Sequence, residues 1–221
     1  MSIPDTITID GPAGAGKSTL GELLARRLDY LYFDTGVMYR ALTWAALERG
    51  IDPGDAQAMA ALARDLDIDL APPNVADGRQ YTVLVDGQDV TWDLRRPEVD
   101  RQVSLVAGHP AVREVLRARQ RAIGMRGRVV MVGRDIGKIV LPEARLKIYL
   151  EASLRSRAAR RAAELRARGR EVTLEDIEAD LARRDALDQH VMAPAPDALV
   201  LNNDSVSPTQ EVDVILARLA G

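Results

Sequence analysis

The sequence predicts an α/β fold, a parallel sheet flanked by helices with a small antiparallel β insert in the middle of the chain. Three observations carry this. The chain opens as strand, glycine-rich turn, helix, strand, helix, the entry to a parallel sheet, because parallel neighbours need a crossover. Short apolar runs of strand type return late, at Val129–Val132, Leu146–Leu150 and Ala198–Leu201. Between these regions lie alternating segments around Asp86-Gly87, a hairpin turn signal.

Taken in order, Thr6 to Ile9 reads as a buried strand and Asp10 to Gly16 as a glycine turn. Lys17 to Leu28 is helical, since Leu20, Leu23, Leu24 and Leu28 share one face. Leu31 to Phe33 is a second strand, and Asp34-Thr35-Gly36 leads into a helix from about Val37 to Glu48 that Gly50 can stop. Asp55 can cap a short helix to about Leu66. Asp67–Leu70, Tyr81–Val85 and Gln88–Thr91 read as the strands of the insert, roughly residues 65–95. Pro97 and Pro110 each suit the first turn of a helix, and the second helix, to about Ile123, carries Arg113, Arg117, Arg119 and Arg121. Ser153 caps a long helix to about Arg168, with Gly169 as its stop. Thr173 and Asp176 resemble a capping box opening a helix that ends near Arg184, and Ser207-Pro208-Thr209-Gln210 opens the last one.

Composition narrows the function classes. A chain of 221 residues, 47% hydrophobic and 29% charged, is one or two domains with an adequate core. No apolar run approaches the ~18 residues of a spanning helix, and Met1 to Asp5 lacks the basic and apolar regions of a leader, so neither membrane insertion nor secretion is expected. The absence of cysteine excludes disulfides and thiolate chemistry and fits a reducing, cytoplasmic setting. His109 and His190 stand far apart, which argues against a histidine-rich metal site. A net charge of −3 argues against non-specific nucleic-acid binding. Of the 30 basic residues, 27 are Arg and 3 are Lys. In such a chain Lys17 marks a place where a compact ammonium is wanted.

Lys17 belongs to the strongest motif. Gly11-Pro12-Ala13-Gly14-Ala15-Gly16-Lys17-Ser18 matches G-x-x-x-x-G-K-[ST], between a strand and a helix as the pattern requires. The glycines let successive N–H groups turn toward phosphate oxygens, and the helix adds its positive end. Gly11 through Thr19 are therefore candidate ligands of a nucleoside triphosphate. Lys17 would reach the β- and γ-phosphates, and the Ser18 hydroxyl would ligate Mg²⁺. The sheet is then of the P-loop NTPase type. A guanine-reading N-K-x-D and an L-S-G-G-Q-like stretch are both absent, and the chain is short for an oligomeric motor. A small kinase remains. Asp34-Thr35-Gly36 to Arg40 supports it, at the strand edge where open α/β sheets bind ligands. Arg40 could fork onto a phosphate there; the alternative is a helix cap and a solvated charge.

Gly11–Thr19 with Asp34-Thr-Gly-x-x-Tyr-Arg40 resembles the nucleoside monophosphate kinases, and more narrowly the bacterial cytidylate kinases. Gly87-Gln-Asp-Val-Thr91 with Leu94-Arg95, Gly133-Arg-Asp-Ile-Gly137, Arg157-Ala-Ala-Arg-Arg161, Arg184-Asp-Ala-Leu-Asp188 and Asp197-Ala-Leu-Val-Leu201 follow in family order. The resemblance implies transfer of the γ-phosphoryl of ATP, with Mg²⁺, to CMP or dCMP. It implies one kinase chain in three parts: a core of residues 1–36, 126–152 and 190–221, a monophosphate-binding region of 37–125 containing the insert, and a helical lid of 153–189.

The same resemblance implies site roles. Arg40 and Arg134 hold the acceptor phosphate, on the substrate side with Thr35. Arg157, Arg161 and Arg184 come from the lid and, with Lys17, neutralise charge during transfer. Ser104, Arg113 and Asp135 read cytosine, whose amine donates and whose N3 and O2 accept, and Asp188 holds the ribose. No general base is required, because the nucleophile is an ionised phosphate oxygen. Taken alone, Asp135 also reads as an ion-pair partner, Ser104 as an ordinary helix serine and Arg157–Arg161 as a solvated face. The chain departs from the family pattern at Val132, at Lys138, and at Gln189-His190-Val191, where no further arginine follows Asp188. A monomer with small-molecule substrates is expected, without nucleic acid or membrane. Two rival readings stand beside it: another small P-loop kinase acting on UMP, dTMP or a non-nucleotide acceptor, and a nucleotide-dependent binding module.

Overall fold

The computed structural model describes residues 5–144, 146–167, 169–188, 192–204 and 206–220, with the backbone alone for 187, 188 and 218–220. Arg168 and the departure Gln189-His190-Val191 lie outside the described residues. In chain order the elements are β1 (Thr6–Asp10), α1 (Lys17–Leu28), β2 (Leu31–Asp34), α2 (Gly36–Glu48), α3 (Ala56–Asp65), β3 (Ile68–Ala71), β4 (Thr82–Val85) and β5 (Gln88–Asp89). Then follow α4 (Pro97–Gly108), α5 (Pro110–Gly124), β6 (Val129–Val132), β7 (Leu146–Glu151), α6 (Leu154–Ala167), α7 (Leu174–Asp188), β8 (Leu199–Asn202) and α8 (Pro208–Ala220). Five strands form a parallel sheet in the order β2-β6-β1-β7-β8, flanked by helices, and β3-β4-β5 form a separate antiparallel sheet, as the sequence predicts. No helix among the described residues is long and apolar enough to cross a membrane.

The chain divides into two compact units: residues up to Tyr30 with those from Val130 onward, and Leu31–Val129. In the first, β1 is buried from Ile7 to Asp10, as a strand covered on both faces must be. It pairs in parallel with β7, Ile7 opposite Leu146 and Asp10 opposite Tyr149. β8 pairs with β7 and alternates half-buried with exposed positions, the pattern of a strand covered on one side. α1 buries Leu20, Gly21, Leu24 and Ala25 and packs against α8, while α6 and α7 pack on each other.

Local chemistry fixes the helix ends. The Ser153 hydroxyl accepts the Ser156 N–H at 3.2 Å ahead of α6. Gly169, at φ +74°, turns the chain out of that helix and donates to Arg166 O at 2.9 Å. Ser207 and Gln210 exchange backbone-to-side-chain bonds of 3.1 and 3.3 Å, a reciprocal box at the start of α8. α7 corrects the expected end near Arg184: it continues to Asp188, because Asp185 to Asp188 contain neither Gly nor Pro to stop it.

One element is not announced by the sequence. After β6 the chain makes a π-type turn at Ile136–Val140. The Asp10 carboxylate accepts the Ile136 N–H at 2.8 Å and the Gly137 N–H at 2.7 Å, which pins that turn to the end of β1. A Cβ on Gly137 would stand 2.7 Å from Thr8 Oγ1, so glycine alone lets the turn close this far.

In the second unit α2 packs against α3, α4 and β4, and α3 and α4 each pack against α5. Met38, Leu42, Met59, Leu66 and Leu116 are fully buried. Asp55 caps α3, its Oδ1 accepting the Gln57 and Ala58 N–H groups at 3.0 Å each. Asp86 and Gly87 both take positive φ, 49° and 80°, the turn of a tight hairpin. β5 ends at Asp89 instead of Thr91, because the Asp89 carboxylate takes the Thr91 N–H at 3.0 Å and its hydroxyl at 2.7 Å and turns the strand away. Arg79 clasps the insert, bonding Asp77 at 2.7 Å and Asp89 at 2.5 Å, while Trp92 Nε1 donates to Asp77 at 2.8 Å.

Candidate active site

The phosphate loop of Gly11–Ser18 leaves β1 and enters α1 at Lys17. Gly11 sits at φ +145° with its Cα against β7; a Cβ there would be 2.2 Å from Leu150 O, backbone that cannot give way. Gly14 and Gly16 take φ of 77° and 96°. Gly16 stands at the start of α1 with no side-chain cap, and the first turn holds no acidic residue, so the positive end of the helix meets no carboxylate of its own. Lys17 Nζ donates to Pro12 O at 2.7 Å, which holds the ammonium across the loop. Ser18 and Thr19 are exposed in the first turn. Pro12, Ala13 and Ala15 complete the loop, with Ala15 fully buried.

In sequence Asp10 reads only as the start of the turn; the structure gives its carboxylate a role. Burial pushes its carboxyl up to about 6, against the pull of the Gly137 and Ile136 N–H groups; the Asp135 charge adds to the rise and Lys17 opposes it. A carboxylate closing a run of apolar strand residues just before a glycine turn was the available signal. Through Ile136 and Gly137 it anchors the segment that carries Arg134, half-buried, and Asp135, only 7% exposed. Of the family departures here, Val132 is buried in β6 and Lys138 is exposed on the turn.

The lid arginines separate into two kinds. Arg157 is only 4% exposed, so the solvated-face alternative does not hold for it. It donates to Ala13 O at 2.9 Å, to Ala152 O at 3.1 Å and to the Asp185 carboxylate at 2.5 and 3.2 Å. Arg161 and Arg184 are exposed and pair along their own helices, Arg161 with Glu164 at 2.7 Å and Arg184 with Asp180 at 3.0 Å. Such pairs exchange easily for another anion. Asp188 ends α7, and its side chain lies outside what the structure describes.

The remaining predicted residues lie in the second unit. Thr35 is buried ahead of α2 and its hydroxyl makes no capping bond; the cap-like contact is Asp34 Oδ1 on the Gly36 N–H at 3.0 Å. Arg40, one turn into α2, donates to Leu94 O at 3.0 Å and to Asp100 Oδ1 at 2.6 Å. It is therefore a positioned guanidinium with a carboxylate on it, not a solvated charge. Ser104 is exposed on α4. Arg113, half-buried in the first turn of α5, reaches back to Ala107 O at 3.5 Å, near the end of the helix that carries Ser104. α4 thus carries Ser104, the Asp100 that pairs with Arg40, and the Ala107 O that Arg113 reaches.

A buried side chain that sequence reasoning missed is Asn203. It follows β8, is 3% exposed, and its amide donates to Ala15 O at 2.7 Å. The signal was its place just beyond the carboxyl end of a parallel strand, where such sheets build their sites.

Residues 7–220 match the family described as cytidylate kinase. A protein of that name from Roseiflexus castenholzii is 64% identical over 221 residues, all of this chain and 95% of that one. Another from Chloroflexus aggregans is 62% identical over 218 residues, 99% of this chain and 95% of its own length. A solved gluconokinase from Sinorhizobium meliloti 1021 is similar in fold, with a TM-score of 0.52 at 14% identity over 100% of this chain and 94% of that one. Full-length relatives at this level of identity and a family match that omits only the chain's extremities leave one placement: the chain belongs to the cytidylate kinase family.

Proposed function

We infer that this chain transfers the γ-phosphoryl of ATP to CMP or dCMP, giving ADP and CDP or dCDP. The observation that carries the reading is the phosphate loop with its anchored Lys17, in a chain of the cytidylate kinase family. Neither rival reading, a kinase for another acceptor or a binding module, has a comparable observation behind it.

The loop receives the donor's phosphates on its N–H groups, and the Lys17 ammonium balances charge at the β- and γ-positions. Among the described residues no cluster of three or more His, Cys, Asp or Glu could hold a metal ion. The exposed Ser18 hydroxyl is a hard oxygen of the kind Mg²⁺ takes alongside phosphates and water. Mg²⁺ held there would neutralise charge on the donor's phosphates. Arg40 and Arg134 take the acceptor phosphate as forked donors. Arg161 and Arg184 leave weak surface pairs and meet the charge of the transferring group. Asp135 accepts from the cytosine amine and Arg113 donates to the ring acceptors, with Ser104 as a further base-reading group and Asp188 on the ribose. Uracil would set its O4, an acceptor, against the buried Asp135 carboxylate, so acceptor meets acceptor where cytosine offers a donor. Lid residues 153–189 close over the reactants and exclude water.

The test is ADP release from Mg-ATP with CMP, dCMP, UMP, AMP, GMP, dTMP or no acceptor. CMP and dCMP are expected to exceed UMP by at least about a hundredfold in kcat/KM. Preference for another acceptor would discard the base-reading argument, and acceptor-independent silence in a folded, ATP-binding protein would discard the kinase reading.

A further inference from the structure

Two side chains outside the loop grip its carbonyls. Arg157 donates to Ala13 O at 2.9 Å, and Asn203 Nδ2 donates to Ala15 O at 2.7 Å. A trans peptide is planar, so the C=O of one residue and the N–H of the next point in opposite directions. Holding Ala13 O therefore aims the Gly14 N–H, and holding Ala15 O aims the Gly16 N–H. Gly14 and Gly16 are the positions most in need of this. Both sit at positive φ, and without a Cβ their neighbouring peptide planes turn over readily.

Neither grip is incidental. A Cβ on Gly16 would be 2.4 Å from Asn203 Nδ2, so the amide lies directly against the loop. Asn203 is itself fixed, its N–H donating to Glu151 O at 2.8 Å and its carbonyl accepting from Arg160. The rest of the Arg157 guanidinium is engaged by Ala152 O and Asp185, which sets it apart from the exposed Arg161 and Arg184.

We propose that Asn203 and Arg157 are positioning residues of the phosphate loop, holding its outward carbonyls so that the Gly14 and Gly16 N–H groups face the donor's phosphates. For Arg157 this replaces the family-implied role at the transferring group. The proposal rests on Gly11–Ser18 being the donor phosphate site, a point that Lys17→Ala tests separately.

Asn203→Asp is the informative variant. It keeps the shape but removes the donor and sets an acceptor against Ala15 O. It should raise KM for ATP about tenfold or more, as one lost and opposed hydrogen bond would, while KM for CMP stays within about twofold. Asn203→Ala should move KM for ATP in the same direction by less, and it stands in if the Asp variant does not fold. An unchanged KM for ATP in either folded variant, or equal rises for both substrates, overturns the proposal. If instead Lys17→Ala keeps normal ATP affinity and turnover, the reading of the loop itself fails.

Discussion

A carboxylate buried at the end of a strand costs free energy unless its oxygens are used, and Asp10 uses both. An ordinary Asp ionises near pH 4, while Asp10 in the fold does so near 6, chiefly through burial. Between these values the folded chain binds the proton more tightly than the unfolded one. The contribution of Asp10 to stability therefore falls as pH rises from about 4 to about 6 and stays lost above. Asp10→Asn cannot ionise. From pH 4 to 7 the stability of the wild type relative to this variant should fall by up to about 3 kcal/mol in urea titrations. A difference that does not move over that range would show that the carboxylate is not perturbed. Lys17 was legible in the sequence because its motif is contiguous; Asp10 was not, because its partners are 126 and 127 residues away. Lys147, like Lys17, stands out in an arginine-rich chain. That ammonium, 7% exposed, bonds both Asp197 oxygens at 2.8 and 3.0 Å as well as Pro142 O, three acceptors met by one compact charge.

At the scale of elements, whatever depends on neighbours in sequence was readable. Asp55, Ser153 and Ser207 cap the helices they were expected to cap, and Asp86-Gly87 makes the hairpin. What depends on distant chain was not. The π-type turn at Ile136–Val140 exists because a carboxylate on another strand takes two successive N–H groups from it. The insert shows a third case, an element whose edges are set by side chains. Its strands are only four, four and two residues long, so ladder bonds alone hold it weakly. The Arg79 guanidinium joins the loop residue Asp77 to Asp89 on β5, and it holds both carboxyls below the usual range. Arg79→Ala should speed amide hydrogen exchange at Val83 and Val85 while β1 and β7 keep their protection. Equal acceleration in both sheets would mean that the clasp is not local to the insert.

At the scale of the whole molecule, the residues implied by the family distribute over two units. One carries the phosphate loop, Arg134, Asp135 and the lid arginines; the other carries Thr35, Arg40, Ser104 and Arg113. The sequence groups Thr35 with the core residues 1–36, whereas the contacts group it with Leu31–Val129, and the partners each arginine meets had to be seen. A ligand that binds only the folded chain stabilises all of it. Mg-ATP at a hundred times its Kd should add about 2.7 kcal/mol to unfolding. Lys17→Ala should lose that gain, while the nucleotide-free midpoint falls only by what the half-buried side chain and its one bond to Pro12 O contribute. A full nucleotide-induced shift in the variant would separate Lys17 from donor binding.

Arg40 already holds the Asp100 carboxylate at 2.6 Å. An anion arriving there does not meet a bare cation; it has to displace a carboxylate. What such a ligand feels is the difference between two ion pairs, and bulk salt weakens both members of that difference together. Attraction at this residue is thereby muted for passing anions of every kind. The preference falls to whichever guest can fork onto the guanidinium with two oxygens, so Asp100 works as a standing competitor that turns charge into shape.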